Sequence, residues 1–357
     1  MVTVIWAATD LRTRFSDFLG SVLSAATSSI VGMQGPSVKQ TIDLSPPDNK
    51  LYEDNMAADD GLHFLANLYK DWSVRMAVEP ALSLSAVREI FEEWQRSTME
   101  PEDVCFRSET VGGVDCVWAV PAGADLRKVV LWAHGGGFIA GSAASHRKLG
   151  GHVAKELNVT VLLLDYRLAP EHPFPAQMED FTTVYCELLD RGFLSENLTL
   201  GGDSAGSSVA VSTALNLRDR GIPGPRHIIC FSPWVDVELM SPSLWTSGET
   251  DYLVPRPSGP ELVAMFLGGI TPADDPLANP LYADFAGFPR LYINVGSGEA
   301  LLDDARRLHE RALAAGVDST LSQVAGMQHV FPILAGRATE ADEELKRLAQ
   351  WFKKEDD

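Results

Sequence analysis

Apolar residues fall on two different periods along this chain, and the change comes near residue 104. Before it the spacing is helical. Leu11, Phe15, Phe18, Leu19, Val22 and Leu23 share one helix face, as do Leu62, Leu65, Leu68, Tyr69, Trp72 and Met76, and again Val87, Ile90, Phe91 and Trp94. SPPDNK at 45–50 breaks any helix and predicts a loop. These stripes predict packing faces. The segment before Pro36 has nothing nearby to pack on, so it is expected to lie over the rest of the protein.

After residue 104 the runs are short and β-rich: DCVWAV (115–120), KVVLWAH (128–134), VTVLLLD (159–165), LTLGG (198–202), HIICFS (227–232), RLYINVG (290–296) and STLSQV (319–324). Helical stretches separate most of them; in EDFTTVYCELLDRG, Phe181, Val184, Tyr185, Leu188 and Leu189 fall on one face. VTVLLLD and HIICFS are continuously apolar, as parallel strands covered on both faces are. The alternation predicts an α/β class, with a mostly parallel open sheet and helices on both faces. Trp234 to Phe288 is rich in Pro and Gly and has only short helical patches, so it predicts an insertion or lid. The expected division is an N-terminal helical region, 1–100, and an α/β domain, 101–357, carrying the insertion at about 234–288.

Composition narrows the function classes. The chain has 357 residues, 45% hydrophobic and 22% charged, which fits a soluble globular protein. A net charge of −20 offers no basic stripe for a phosphate backbone, so no nucleic-acid partner is expected. Cys105, Cys116, Cys186 and Cys230 have no CxxC or CxxH spacing and read as reduced, mostly buried thiols, not as a metal site. MVTVIWAATDLRTRF lacks the basic start and long apolar run of a signal peptide. No apolar stretch reaches about 18 residues, so no membrane span is expected and a cytoplasmic location follows. The sequons at Asn158 and Asn197 then read as chance.

One pentapeptide carries chemistry. Gly202-Asp203-Ser204-Ala205-Gly206 stands between a β-rich run and an apolar helix. A G-x-S-x-G in that context makes a sharp strand-to-helix turn that exposes the Ser204 hydroxyl, with the helix N-terminus favouring negative charge beside it. No G-x-G-x-x-G is present, which excludes a dinucleotide-binding turn. Upstream, a strand ends in His134-Gly135-Gly136-Gly137. Three glycines weaken a strand end unless backbone N–H groups must point into a cavity. Gly136 and Gly137, with the N–H of Ala205, would give three donors to a developing oxyanion. His134 stands too near this loop to be a base and is expected to hold it by hydrogen bonds. Ser207, following the motif, is expected to narrow the acyl pocket slightly.

HGGG with Ser204 70 positions after His134 resembles the hormone-sensitive-lipase-like family of α/β-hydrolase esterases. DYRLAPEHPFPA (165–176), SPWVD (232–236) and GMQHVF (326–331) continue the resemblance, which covers roughly residues 105–352. Its nearest flavour is that of microbial and fungal enzymes described as monoterpene ε-lactone hydrolase-like. The resemblance implies an α/β-hydrolase fold with a helical N-terminal cap, a carboxylic-ester hydrolase activity on small esters or lactones, and no cofactor. A homodimer is compatible with it, since such relatives often pair through the sheet edge.

The base and acid follow from chain order. Of eight histidines, His329 comes after the last β-rich run and a Gly turn, which suits the order Ser, acid, His. His146 and His152 flank a helix that starts near the glycine loop and are expected at the surface, with a place lining the entrance as the alternative. Glu299 falls in the turn after RLYINVG; Asp303 and Asp304 fall further on, within a helix whose first-turn acids the macrodipole explains. The family loop carries Asp in D-P-L-x-D-E, and an ungapped match puts Glu299 at that Asp. Glu299 is the candidate acid and Asp303 the alternative. The expected chemistry is acyl transfer by Ser204, Glu299 and His329. A transacylase with the same triad, or a receptor on the same fold, stays open as an alternative. Trp234, Trp245, Tyr252 and Phe266 are candidate pocket residues, with packing in the lid as the rival role.

Overall fold

The continuously apolar runs form the centre of an eight-stranded sheet, ordered β1-β2-β4-β3-β5-β6-β7-β8. A computed structural model describes residues 61–77, 82–254 and 259–354, all within the compact unit from Asp54 to Asp357. The strands are β1 Val104–Val111, β2 Val114–Pro121, β3 Asp125–Ala133, β4 Val159–Leu164, β5 Leu198–Asp203, β6 His227–Phe231, β7 Arg290–Gly296 and β8 Ser319–Val324. β3 to β8 run parallel, and β2 is antiparallel to both β1 and β4.

Strand alternation splits the core into two layers. Leu131, Leu162, Leu164, Ile228, Cys230 and Ile293 face one layer. Trp132, Val161, Leu163, Ile229, Phe231 and Tyr292 face the other. The first layer is covered by helices α4 (Ala176–Asp190), α5 (Ala205–Asp219) and α8 (Leu302–Ala314). The second is covered by α3 (Ala143–Leu157) and α9 (Thr339–Lys353).

β1 is an addition to the sequence reading. VCFRSETV is mostly polar and half-exposed, and it becomes a strand by pairing with β2 across Gly112 and Gly113. Both glycines have positive φ, 58° and 85°, as a two-residue hairpin turn of this hand requires.

The second and third helical stripes form α1 (Gly61–Met76) and α2 (Leu84–Phe91), followed by a 3₁₀ turn, Glu92–Arg96. The Ser83 hydroxyl caps α2 by accepting from Ala86 N–H. Phe64, Leu65, Leu68, Tyr69 and Trp72 bury one face of α1 against Val330, Phe331, Ile333 and Leu334. Burial of each such side chain stabilises by roughly 1.5–3 kcal/mol. The stripe from Leu11 to Leu23 and the loop at 45–50 lie outside the described residues.

The Pro- and Gly-rich stretch joins β6 to β7 and carries α6 (Ser243–Thr246) and α7 (Gly259–Leu267). Among the described residues no helix is long and apolar enough to cross a membrane. The four cysteines are free thiols; Cys116 and Cys230 are buried, Cys186 is half-buried and Cys105 is exposed.

Candidate active site

β5 ends at Asp203 and α5 begins at Ala205, leaving Ser204 as the single residue of the turn. Its φ is +53° and its ψ −123°. A non-glycine residue in such a conformation costs about 1–3 kcal/mol, so its surroundings must fix it. Two backbone bonds do so: Ser204 N–H donates to Phe231 C=O at 2.8 Å, and Trp234 N–H donates to Ser204 C=O at 3.1 Å. The flanking glycines let α5 sit against the sheet: a Cβ on Gly206 would overlap the Ala133 carbonyl, and one on Gly202 would overlap the Gly206 backbone. Ser207 does not reach a pocket, contrary to expectation. It is fully buried and its hydroxyl donates to Gly202 C=O at 2.9 Å, which pins the first turn of α5 to β5.

The glycine loop follows β3. Gly136 and Gly137 have φ of +124° and +63°, and a Cβ on Gly136 would overlap the Ala140 carbonyl. Gly135 N–H donates to Asp203 Oδ2 at 3.0 Å, so the residue before Ser204 ties the loop to the turn. His134 holds the loop from beneath. Its Nδ1–H donates to Gly135 C=O at 2.8 Å, and its ring stacks on Tyr166 at 4.3 Å. Tyr166 Oη–H in turn donates to His134 C=O at 2.6 Å. Burial drives the His134 imidazole down to about 3, which keeps it neutral.

His146 corrects the expectation of a surface role. It is buried, and its Nε2–H donates to Asp203 Oδ2 at 3.1 Å. Trp132 Nε1–H supplies a third donor to the same carboxylate, at 3.0 Å. Burial pushes Asp203 up, but His146 and Trp132 outweigh it and hold the acid below its ordinary value. Nothing local marks His146 as buried; its partner lies 57 residues away in sequence.

Glu299 stands in the turn after β7 and His329 in the loop after β8, both fully buried. His329 Nδ1–H donates to Glu299 Oε2 at 2.8 Å. Glu299 Oε1 accepts from Ser232 Oγ–H at 2.8 Å and from Gly296 N–H. Burial lifts the Glu299 carboxyl above its ordinary value, against the pull of His329. Burial disfavours the His329 imidazolium, yet the hydrogen bond and charge of Glu299 prevail and raise it. Residue patterns alone assign Ser232 no role, although it opens the SPWVD motif. It follows Phe231, the partner of Ser204, and so sits between turn and acid.

The two aspartates of α8 are more than helix-start charges. Asp304 is buried and its Oδ2 accepts from the N–H groups of Val235 and Asp236, at 2.9 and 3.0 Å. Burial raises its carboxyl to about 7. Asp303 accepts from Ser243 N–H at 2.8 Å and pairs with Arg306 at 3.2 Å. Both hold the stretch after β6, and the imidazole of His329 is bonded to Glu299 instead. Asp251, from the same stretch, accepts from Ala300 N–H at 2.7 Å and braces the acid turn.

Of the aromatic pocket candidates, Trp234 and Phe266 pack on Phe138 of the glycine loop, with ring centroids 5.4 and 3.7 Å away. Trp245 is 54% exposed and faces solvent. Tyr252 is half-buried, with the Lys70 ammonium 4.2 Å from its ring centre. Leu262 of α7 is the nearest side chain to Gly137, 3.5 Å from where a Cβ would stand.

Residues 130–333 match the family model described as an alpha/beta hydrolase fold. The chain is 40% identical over 222 residues to an acetyl-hydrolase of Streptomyces hygroscopicus, a match covering 62% of this chain and 74% of that one. It is 29% identical over 289 residues to an esterase of Acinetobacter venetianus, covering 81% and 95%. Among solved structures, an esterase from the bacterial hormone-sensitive lipase family superposes with a TM-score of 0.78 at 37% identity, covering 82% of this chain and 97% of that one. The protein EstE5, soaked with p-nitrophenyl butyrate, superposes with a TM-score of 0.76 at 33% identity, covering 83% and 99%.

Proposed function

The chain belongs to the α/β-hydrolase family, in its hormone-sensitive-lipase-like branch, and on that premise we propose that it is a serine esterase cleaving short-to-medium acyl esters or lactones. The observation that carries this reading is the buried 2.8 Å bond between Glu299 and His329. With Nδ1–H donated to Glu299, the Nε2 of His329 carries the lone pair that a general base needs.

His329 takes the proton of Ser204 as its oxygen attacks the ester carbonyl. The carbonyl oxygen becomes an oxyanion, held by the N–H groups of Gly136, Gly137 and Ala205. Each such donor contributes about 3–4 kcal/mol to the transition state. The tetrahedral intermediate collapses, and the alcohol leaves with the proton from His329. Water then attacks the acyl-enzyme, His329 again serving first as base and then as acid, and the acid product departs. For a lactone the alcohol stays tethered to the acyl chain, and the steps are the same.

The acyl preference rests on two supports. Relatives include an acetyl-hydrolase, and Leu262 with Trp234 crowds the glycine loop. The test is hydrolysis of p-nitrophenyl acetate and butyrate by the wild type and by Ser204→Ala. Turnover by the wild type and none by the variant is expected. An inert wild type, or an active Ser204→Ala, would overturn the reading.

A further inference from the structure

The peptide unit that joins His329 to Val330 is gripped at both of its polar atoms. Its carbonyl oxygen accepts from Tyr69 Oη–H at 2.9 Å. Its N–H donates to Ser232 Oγ at 2.9 Å. Val330 has φ of +52°, in the left-handed region, so this peptide does not rest where a free chain would leave it. The two hydroxyls come from distant parts of the chain: Tyr69 from α1, ahead of the sheet in sequence, and Ser232 from the end of β6.

Each hydroxyl is itself fixed. Tyr69 is buried and its oxygen accepts from Trp94 Nε1–H at 3.0 Å, which leaves its proton aimed at His329. Ser232 has φ of +46°, and its N–H donates to Asn294 C=O at 2.7 Å. Because its oxygen accepts from Val330, its proton goes to Glu299, at 2.8 Å. One hydroxyl thus touches both the acid turn and the base loop.

We propose that Tyr69 and Ser232 are positioning residues that clamp the peptide after His329 and so set the imidazole between Glu299 and Ser204. The proposal rests on the esterase reading above. It extends the machinery beyond the triad, and it makes the docking of α1 a condition of turnover. Ser232 has a second effect that Tyr69 lacks: its proton stabilises the Glu299 carboxylate.

The test compares Tyr69→Phe, Ser232→Ala and the double variant on p-nitrophenyl butyrate, well below their melting temperatures. Ser73→Ala is the control. It removes a comparable hydroxyl bond from α1, to Tyr252 C=O, without touching the base. Tyr69→Phe is expected to lower kcat about tenfold, and Ser232→Ala somewhat more, with KM within about twofold, as small misplacements of a base do. The double variant should lose less than the product of the two, since both hold one peptide. Ser232→Ala should also move the acid limb of kcat to higher pH, because a carboxylate stripped of a donor holds the imidazolium proton more firmly. Tyr69→Phe should leave that limb in place. Clamp variants that match wild-type kcat, or a Ser73→Ala that loses as much as Tyr69→Phe, would overturn the clamp while Ser204→Ala stays inert. An inert wild type would instead overturn the esterase reading.

Discussion

Asp203 and His146 are hydrogen-bonded at 3.1 Å with both side chains wholly removed from water. Neither is a candidate for the chemistry, yet Asp203 also holds Gly135 at the start of the glycine loop. Asp203→Asn offers its three donors, on Gly135, His146 and Trp132, one good acceptor fewer. It is expected to destabilise the fold by roughly 3–5 kcal/mol and to lower kcat about tenfold through the loop. Thermal unfolding with parallel kinetics checks both. The acid is held below its ordinary value in the fold. Its contribution is therefore present above about pH 4 and is lost as pH falls through the folded value, so acid unfolding of the variant should begin from a flatter stability curve.

Glu299→Gln should cripple turnover where Asp303→Asn should not. An amide in place of Glu299 no longer stabilises the imidazolium, and a loss in kcat of about 10³- to 10⁴-fold is expected. Glu299 is also what lifts His329 against burial. Without it burial prevails, so the acid limb of the residual activity should shift to lower pH. Asp303 holds Ser243 and Arg306, and its change should cost a few degrees of melting temperature and leave kcat within about twofold. Comparable losses of kcat in both variants would contradict the assignment of the acid.

Asp304 makes a separate statement about pH and stability. Its folded value, about 7, stands above the unfolded one. The native state then binds more protons between about pH 4 and pH 7, so stability is fullest below about pH 4 and is lost as pH rises through 7. Asp304→Asn keeps an acceptor for Val235 and Asp236 and removes the charge. Its stability relative to wild type should rise by roughly 1–3 kcal/mol between about pH 5 and pH 8. Melting temperatures at those two pH values decide it, and an equal difference at both would rule it out.

Gly206→Ala should be among the most damaging single-methyl changes in the protein. The added Cβ meets the Ala133 carbonyl, a backbone atom that cannot move without breaking the sheet. A loss of several kcal/mol is expected, by overpacking of the core. Gly224→Ala is the comparison, since nothing stands within 4 Å of its added methyl. Soluble yield and thermal unfolding of the two proteins separate a steric origin from a general intolerance of the loss of glycine.

Residue patterns reveal the strands and the strand-to-helix turn at Ser204 because those signals are local. Strands buried on both faces are apolar throughout, and a Ser between two glycines after such a strand has few other uses. Glu299 stands apart from its acidic neighbours by its place just past the glycines of a turn. The failures share a different cause: each residue's state is set by a partner that its own pattern does not show, whether that partner is near in the chain or far. β1 has no apolar pattern of its own and exists through β2. His146 looks like a surface residue until Asp203 is beside it. Asp303 and Asp304 satisfy a helix-dipole account so well that their bonds to the stretch after β6 leave no trace in sequence. Ser207 has the spacing of a pocket residue, whereas its hydroxyl turns back to the strand. Ser232 is in view within SPWVD, but its role depends on two partners, 67 and 98 residues away.

The docking of α1 has a consequence for how the chain is made. Tyr69 meets a carbonyl 260 residues further along. At about 5–20 residues per second on a ribosome, roughly 13–50 s separate the emergence of the two. Through that interval the face bearing Phe64, Leu65, Leu68, Tyr69 and Trp72 has no Val330, Phe331 or Leu334 to cover it. The first described helix to be synthesised is thus among the last to find its seat, and a nascent chain stalled short of residue 330 would offer that aromatic face to chaperones.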